Sequence, residues 1–321
     1  MYVQGINVAR PRASDFKKSV GRFSHRTKER FWELDFLRGL CVVLMVFDHF
    51  MYCLWDIMPS INQMLGTDLF SEWRQIAINY WNWNVRINVR EVVICTFFVL
   101  CGISCTLTRG NFRRFIPLAL VAAGISAVTY FIDQNFIDGT YIIFGVIHMI
   151  ACGVLMYALL DNAVSAVCAL FPEGKKARVA ENILRYLPGA VGVMFLILLF
   201  ARYADISFEG GAYELISTFP KDADMDVNRF RAIFLYVRDY NFEALSADYF
   251  PVLPYAAVIL AGGILGRALY YTSYKYTLMP LDGAWNKGVC FLGRHSAFIF
   301  VAHMVAIPVL LALFALLVSC F

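Results

Sequence analysis

The stretch LDFLRGLCVVLMVFDHFMYCLWDIM, Leu34 to Met58, decides the fold. It is long and apolar enough to cross a bilayer, whose hydrocarbon core takes about 20 residues of helix. Yet Asp48 and His49 lie well inside it. Ionisable groups at that depth are expensive, and they normally line a cavity, a pathway or a site. The run therefore predicts an integral membrane protein that does something polar within the bilayer.

Composition agrees. Of 321 residues, 60% are hydrophobic and 16% charged, and the mean hydropathy is +0.61. Soluble domains have about 45–50% apolar and about 25% charged residues. The net charge is +4, too modest to point to nucleic acid. None of the nine cysteines stands in a C-x-x-C pair, so neither a zinc site nor a disulfide framework is expected. Residues 1–30 are polar and basic, and the first apolar run is too long for the core of a cleavable signal peptide.

Seven spans are expected, over residues 36–57, 91–108, 114–131, 141–160, 187–204, 251–271 and 291–318. The short run from Asn162 to Phe171 either lengthens the fourth helix or forms a re-entrant piece, which leaves eight spans open. The fold class is an all-α polytopic helical bundle. A basic tail (1–30) precedes a single transmembrane domain (31–321) with two long outer segments, 59–90 and 203–250.

Basic residues collect in the tail and after spans two, four and six, as in Arg109, Arg113, Arg114, Lys175, Lys176, Lys275 and Lys287. Acidic residues such as Asp133, Asp138, Asp222 and Asp224 fall in the other connections. The positive-inside rule then puts the N-terminus in the cytoplasm, in a multi-pass protein of the inner (plasma) membrane. The outer sequence EWRQIAINYWNWNVRI, Glu72 to Ile87, mixes aromatic and polar residues and suits an interfacial helix or a lid.

The polar residues inside the spans are the candidate site. At about 1.5 Å of rise per residue, His49 and His148 sit at matched depth near the outer surface, where they can share a pocket. Histidine is the natural proton-transfer group near neutral pH. Asp48 and His49 point about 100° apart on a helix and so take different roles. Asp48 either orients a partner or pairs with a basic group from another span. The bland reading of each histidine is a satisfied interhelical hydrogen bond. His303 lies mid-span and, with Tyr52, is a candidate pocket lining. At the inner mouth, Arg38 is three residues from Asp35 and can pair with it. It can also bind phosphate through its planar guanidinium. Arg109, Arg294 and His295 lie on the same side, although snorkelling anchors are the simpler reading there. Gly39, Gly102, Gly262, Gly263 and Gly266 are small enough for close helix approach.

Several blocks carry a family likeness. ELDFLRGLCVVLMVFDHF, FFVLCGISCTLTRGNFRRF, FGVIHMIACGVLMYALL, DYFPVLPYAAVILAGGILG and FLGRHSAFIFVAHM, in this order, resemble the heparan-alpha-glucosaminide N-acetyltransferase-like membrane acyltransferase family. The likeness runs from about Phe31 to Pro308. It implies transfer of an acetyl group from cytoplasmic acetyl-CoA to a sugar amine across a membrane. By the same likeness, His49 stands where the animal enzyme has Asn, and Ser60 stands where that enzyme has its catalytic His. No other His lies between His49 and His148.

The sequence is thus read as an acyltransferase. His49, Asp48 and His148 are catalytic, Arg38, Arg109, Arg294 and His295 hold the donor, and His303 and Tyr52 line the pocket. The donor is acetyl-CoA or another acyl-CoA, and no metal is required. The acceptor is a glycan, lipid-linked sugar or envelope polymer. Membrane lipid is a partner, nucleic acid is not, and a homo-oligomer is left open. A proton-coupled transporter and a non-enzymatic membrane protein are the alternatives, because intramembrane Asp and His also build proton relays.

Overall fold

A computed structural model describes residues 31–108, 110–136, 139–171, 174–203, 233–234 and 248–319. The basic tail, Arg109 and most of the 203–250 segment lie outside the described residues. Within them the chain is helical. The helices are α1 (Trp32–Tyr52), α2 (Met58–Leu65), α3 (Ser71–Trp81), α4 (Asn84–Leu107), α5 (Asn111–Asn135), α6 (Val146–Ala169), α7 (Lys175–Leu184), α8 (Leu187–Tyr203), α9 (Val252–Tyr270), α10 (Lys287–Arg294) and α11 (Ser296–Ser319). Among the described residues, seven helical stretches are long and apolar enough to cross a membrane. The 162–171 run lengthens α6 as far as Ala169.

Two boundaries differ from the sequence reading. The first apolar helix does not stop at residue 57. It passes through a π turn, Cys53–Ile57, straight into α2, and ends at Gly66, whose φ of 66° is left-handed. Glycine takes that conformation without steric cost. The second long helix starts at Asn84 rather than residue 91, so its first two turns come from the supposed outer segment. At the other end of the chain, the expected 291–318 span is two helices. Residues 287–294 form the short α10, and α11 begins after a break at His295.

Helix α9 is the hub, packed against α4, α8 and α6. Its glycines make this possible. A Cβ on Gly102 of α4 would overlap the Ile259 carbonyl, and one on Gly262 would crowd the Val99 backbone. Small residues let membrane helices approach backbone to backbone, where dispersion and packing replace the hydrophobic drive that lipid does not supply. The second close contact joins α1 to α10: a Cβ on Gly39 would meet the Val289 backbone, and one on Gly293 the Asp35 backbone. The main core holds Phe98, Met149, Val154, Tyr157, Ile259 and Leu260, all buried. A second cluster ties α2 and the π turn to Leu311 and Ala315 of α11. The lipid-compatible faces stay outside: Leu37, Leu40, Val43, Leu44 and Phe47 run exposed along α1.

Candidate active site

The polar residues of α1 fall at two poles. Arg38 marks one and Asp48–His49 the other, 11 residues apart, or about 16 Å along the axis by helical rise.

At the second pole, Asp48 has a partner from another helix. Arg86, in the first turn of α4, donates from Nε to one carboxylate oxygen at 2.7 Å and from a terminal nitrogen to the other at 2.6 Å. Tyr80 of α3 donates its hydroxyl to the same carboxylate at 3.0 Å. The Arg86 guanidinium also lies 3.6 Å over the Trp81 ring. Arg86 is only 6% exposed, so this is a desolvated, bidentate, charge-assisted pair. Burial first, and then the Asp48 carboxylate, push the Tyr80 hydroxyl above its ordinary range, against the pull of Arg86. The Glu72–Ile87 sequence is therefore a cover pinned onto α1 through Asp48.

His49 looks the other way. Its ring stands T-shaped against His303 of α11, with centroids 4.7 Å apart. Its Nδ1 lies 2.9 Å from the Met45 carbonyl oxygen. A carbonyl only accepts, so Nδ1 carries the proton, and Nε2 of the neutral ring keeps its lone pair. His303 has the same arrangement, with Nδ1 3.0 Å from the Ile299 carbonyl. Two imidazolium charges at 4.7 Å would repel by about 3–4 kcal/mol at an effective dielectric of about 20. Two positive charges on the pair are therefore disfavoured.

His148 does not meet His49 in this way. It caps the start of its own helix. The Gly145 N–H donates to its Nδ1 at 3.3 Å, so its proton sits on Nε2, which donates to Ser126 Oγ at 3.0 Å. The Ser126 hydroxyl donates onward to the Ile142 carbonyl at 2.7 Å. Both ring nitrogens of His148 are engaged, in the tautomer opposite to that of His49.

Asp248, which the sequence reading did not single out, joins these groups. One of its carboxylate oxygens accepts from the Val146 N–H at 2.9 Å, and it sits so close over Gly145 that a Cβ there would overlap it. The backbone bond from Phe250 N–H to the Phe144 carbonyl, 3.3 Å, completes the clip. A carboxylate at a helix N-terminus satisfies a free N–H and opposes the helix dipole. Burial raises the Asp248 carboxyl above its ordinary range, while the Val146 N–H and the nearby His49 and Arg90 pull it back. Asp248, His148, Phe300 and Met304 border a crevice of about 10 Å³, room for about one water. A signal for Asp248 was present: it opens the DYFPVLPY block.

At the first pole, Arg38 donates to Asp35 at 3.4 Å and to Ser104 of α4. Arg114 reaches Thr108 at 3.5 Å. Arg114 also lies 4.0 Å from the Cys105 thiol, so the two arginines reach adjacent residues of α4, Ser104 and Cys105. Arg294 and His295 are exposed and bond to carbonyls of their own helix, Cys290 and Phe291. Arg109 lies outside the described residues. Tyr52 packs on Trp55 and Trp81. Among the described residues, no group of three or more His, Cys, Asp or Glu side chains is placed to hold a metal ion.

No curated protein and no solved structure matches the chain. The family model for heparan-alpha-glucosaminide N-acetyltransferase, catalytic, matches residues 30–171 and 181–305. That match takes in both poles, α1 through α6, the α9 hub, α10 and the first turns of α11. With most of its length covered, the chain belongs to this family of membrane acyltransferases.

Proposed function

We propose that the protein takes an acyl group from acetyl-CoA or another acyl-CoA in the cytoplasm. It passes the group to a hydroxyl or amine of a glycan, lipid-linked sugar or envelope polymer at the outer face of the plasma membrane. The observation that carries this reading is the tautomer of His49. Its Nδ1–H is fixed on the Met45 carbonyl, so its Nε2 is the free basic nitrogen in a span of an acyltransferase-family protein.

In this reading His49 Nε2 removes the proton from the acceptor hydroxyl or amine. The acceptor's lone pair attacks the thioester carbonyl, the C–S bond breaks, and the thiolate takes the proton back from His49. Asp248 supports the transient imidazolium through its negative charge. Asp48 holds the Arg86 cover in place and takes no proton. His148, saturated by Gly145 and Ser126, shapes the crevice. Arg38, about 16 Å from His49 by helical rise, and Arg114 offer guanidinium groups for the donor's phosphates, and a flexible thioester arm spans the interval. Arg109 belongs to the same basic cluster by sequence, and Arg294 and His295 give further contacts at the cytoplasmic surface. The positive-inside distribution supports this orientation.

The test is transfer from labelled acyl-CoA by purified protein in lipid nanodiscs, with envelope extract as acceptor. Wild type labels the extract. His49→Ala, with an unchanged melting temperature, falls by about 100-fold or more, the usual contribution of a positioned general base. If no acyl-CoA of any chain length binds, the reading is wrong.

A further inference from the structure

Between α9 and α10 the chain makes three short 3-10 turns, Ser273–Tyr276, Met279–Leu281 and Ala284–Asn286. None of the groups placed in the transfer reaction lies there. The turns carry large apolar and aromatic side chains on the outside. Tyr274, Tyr276, Leu278, Met279, Leu281 and Trp285 are exposed, from 43% at Leu278 to 68% at Tyr274. An exposed apolar patch of this kind marks a surface that meets a protein or a membrane.

The neighbouring helices give its level. The Trp285 ring stands 5.3 Å from Phe36 and 5.8 Å from Trp32, at the start of α1. Phe36 lies one turn before Leu40 and two before Leu44, on the exposed stripe that ends at Phe47. On α9, Leu265 and Leu269 are exposed just before the segment begins. The lipid-compatible stripes of two spanning helices therefore run down to these turns from either side.

We propose that residues 271–286 lie in the headgroup layer of the bilayer, with their apolar side chains dipped toward the acyl chains and Lys275 and Lys287 held at the lipid phosphates. Tyrosine and tryptophan gather at that level because their rings are apolar and their polar tips stay wet. Lysine lays its stem on apolar surface and lifts its ammonium to the headgroups. Lys275 already rests over the Tyr276 ring, 4.7 Å from its centroid, and Lys287 is exposed two residues after Trp285. Phosphate would be repelled by a free carboxylate, and the only acid in the segment, Asp282, accepts a hydrogen bond from Asn286 Nδ2 at 3.1 Å.

The same segment ties two helices together. Trp32 Nε1 of α1 donates to the Leu278 carbonyl at 3.1 Å, and the Tyr271 hydroxyl donates to the Thr106 carbonyl of α4 at 2.7 Å. Arg38 bridges the same two helices through Ser104. A strap seated in the lipid surface thus holds the Arg38 pole at the edge of the bilayer. The inference does not depend on the chemistry at His49.

The test uses the full chain in phosphatidylcholine nanodiscs, both faces of which are open to water. The Trp285 part of the fluorescence is wild type minus Trp285→Phe, a variant that keeps a ring against Trp32 and Phe36. Lipid brominated on its acyl chains is expected to quench that part, and aqueous iodide to leave it unchanged. A nitroxide on Met279→Cys or Leu281→Cys, with Leu44→Cys as the lipid-facing reference, should collide with oxygen more than with a water-soluble nickel chelate. Its depth should be about 5–10 Å into the headgroup–acyl boundary. Quenching by iodide, or collisions dominated by the nickel chelate, puts the segment in water and overturns the proposal. Protection from all four probes means that protein covers it, a second copy of the chain included, and overturns it equally. If the cysteine variants do not fold, the Trp285 difference decides alone.

Discussion

His49 and His148 differ in which nitrogen carries the proton, and that difference separates a base from a cap. No sequence rule distinguishes them, since both sit in apolar helices at similar depth. The deciding groups are the Met45 carbonyl for one, and Gly145 N–H with Ser126 for the other. The bland reading of a satisfied structural histidine fits His148 and leaves His49 and His303 as the paired rings. Substituting His148→Gln is therefore expected to lower the melting temperature, with kcat within a fewfold of wild type. Calorimetry and the transfer assay check the two halves.

Asp248 gives a second residue-scale test. Its carboxyl is raised above the ordinary carboxylate range by burial, so the folded state binds the proton that the unfolded chain releases first. Stability from this group is full below about pH 4 and is lost as pH rises through the folded value. Asp248→Asn removes that slope and keeps an oxygen for the Val146 N–H. The variant should melt within about 1 kcal/mol of wild type at neutral pH, and transfer acyl groups about tenfold more slowly because the imidazolium loses its counter-charge. Thermal melts across pH 4–8 test the first outcome.

At the scale of elements, the apolar periodicity carried most of the fold. The spans were legible because a bilayer fixes helix length, and the glycines because only small residues permit backbone contact. The extent of α4 was not legible. Arg86 and Arg90 look like loop charges until a partner such as Asp48 is placed against them, and that partner is 38 residues away. Gly102→Val is expected to prevent assembly, since its side chain has only the Ile259 backbone to displace. Gly124→Ala, with open space around it, should be neutral or stabilise by up to about 1 kcal/mol, read as a small rise in melting temperature. Arg86→Ala leaves Asp48 without its buried partner and should cost about 3–5 kcal/mol. Loss of the α3 cover would show as faster amide exchange over Ser71–Trp81.

Across the whole molecule, polar side chains gather at two poles separated by an apolar middle. This arrangement suits a reaction whose two substrates arrive from opposite sides. The proposed orientation rests on charge distribution alone and has a direct test. An impermeant maleimide should label Gln63→Cys in intact cells and Lys275→Cys only after lysis. Background is low, because the described native cysteines are buried or half-buried.

The widened turn at Cys53–Ile57 sets the phase of everything that follows it on the same helix. One surplus residue is absorbed there, so Met58 and Ile61 reach α11 while His49, one turn earlier, keeps its own bearing. Deleting a single residue within the turn would restore ordinary winding and rotate Met58–Leu65 by about 100°. The segment would swing off α11 like a key turned in a lock, with the imidazole pair left where it was.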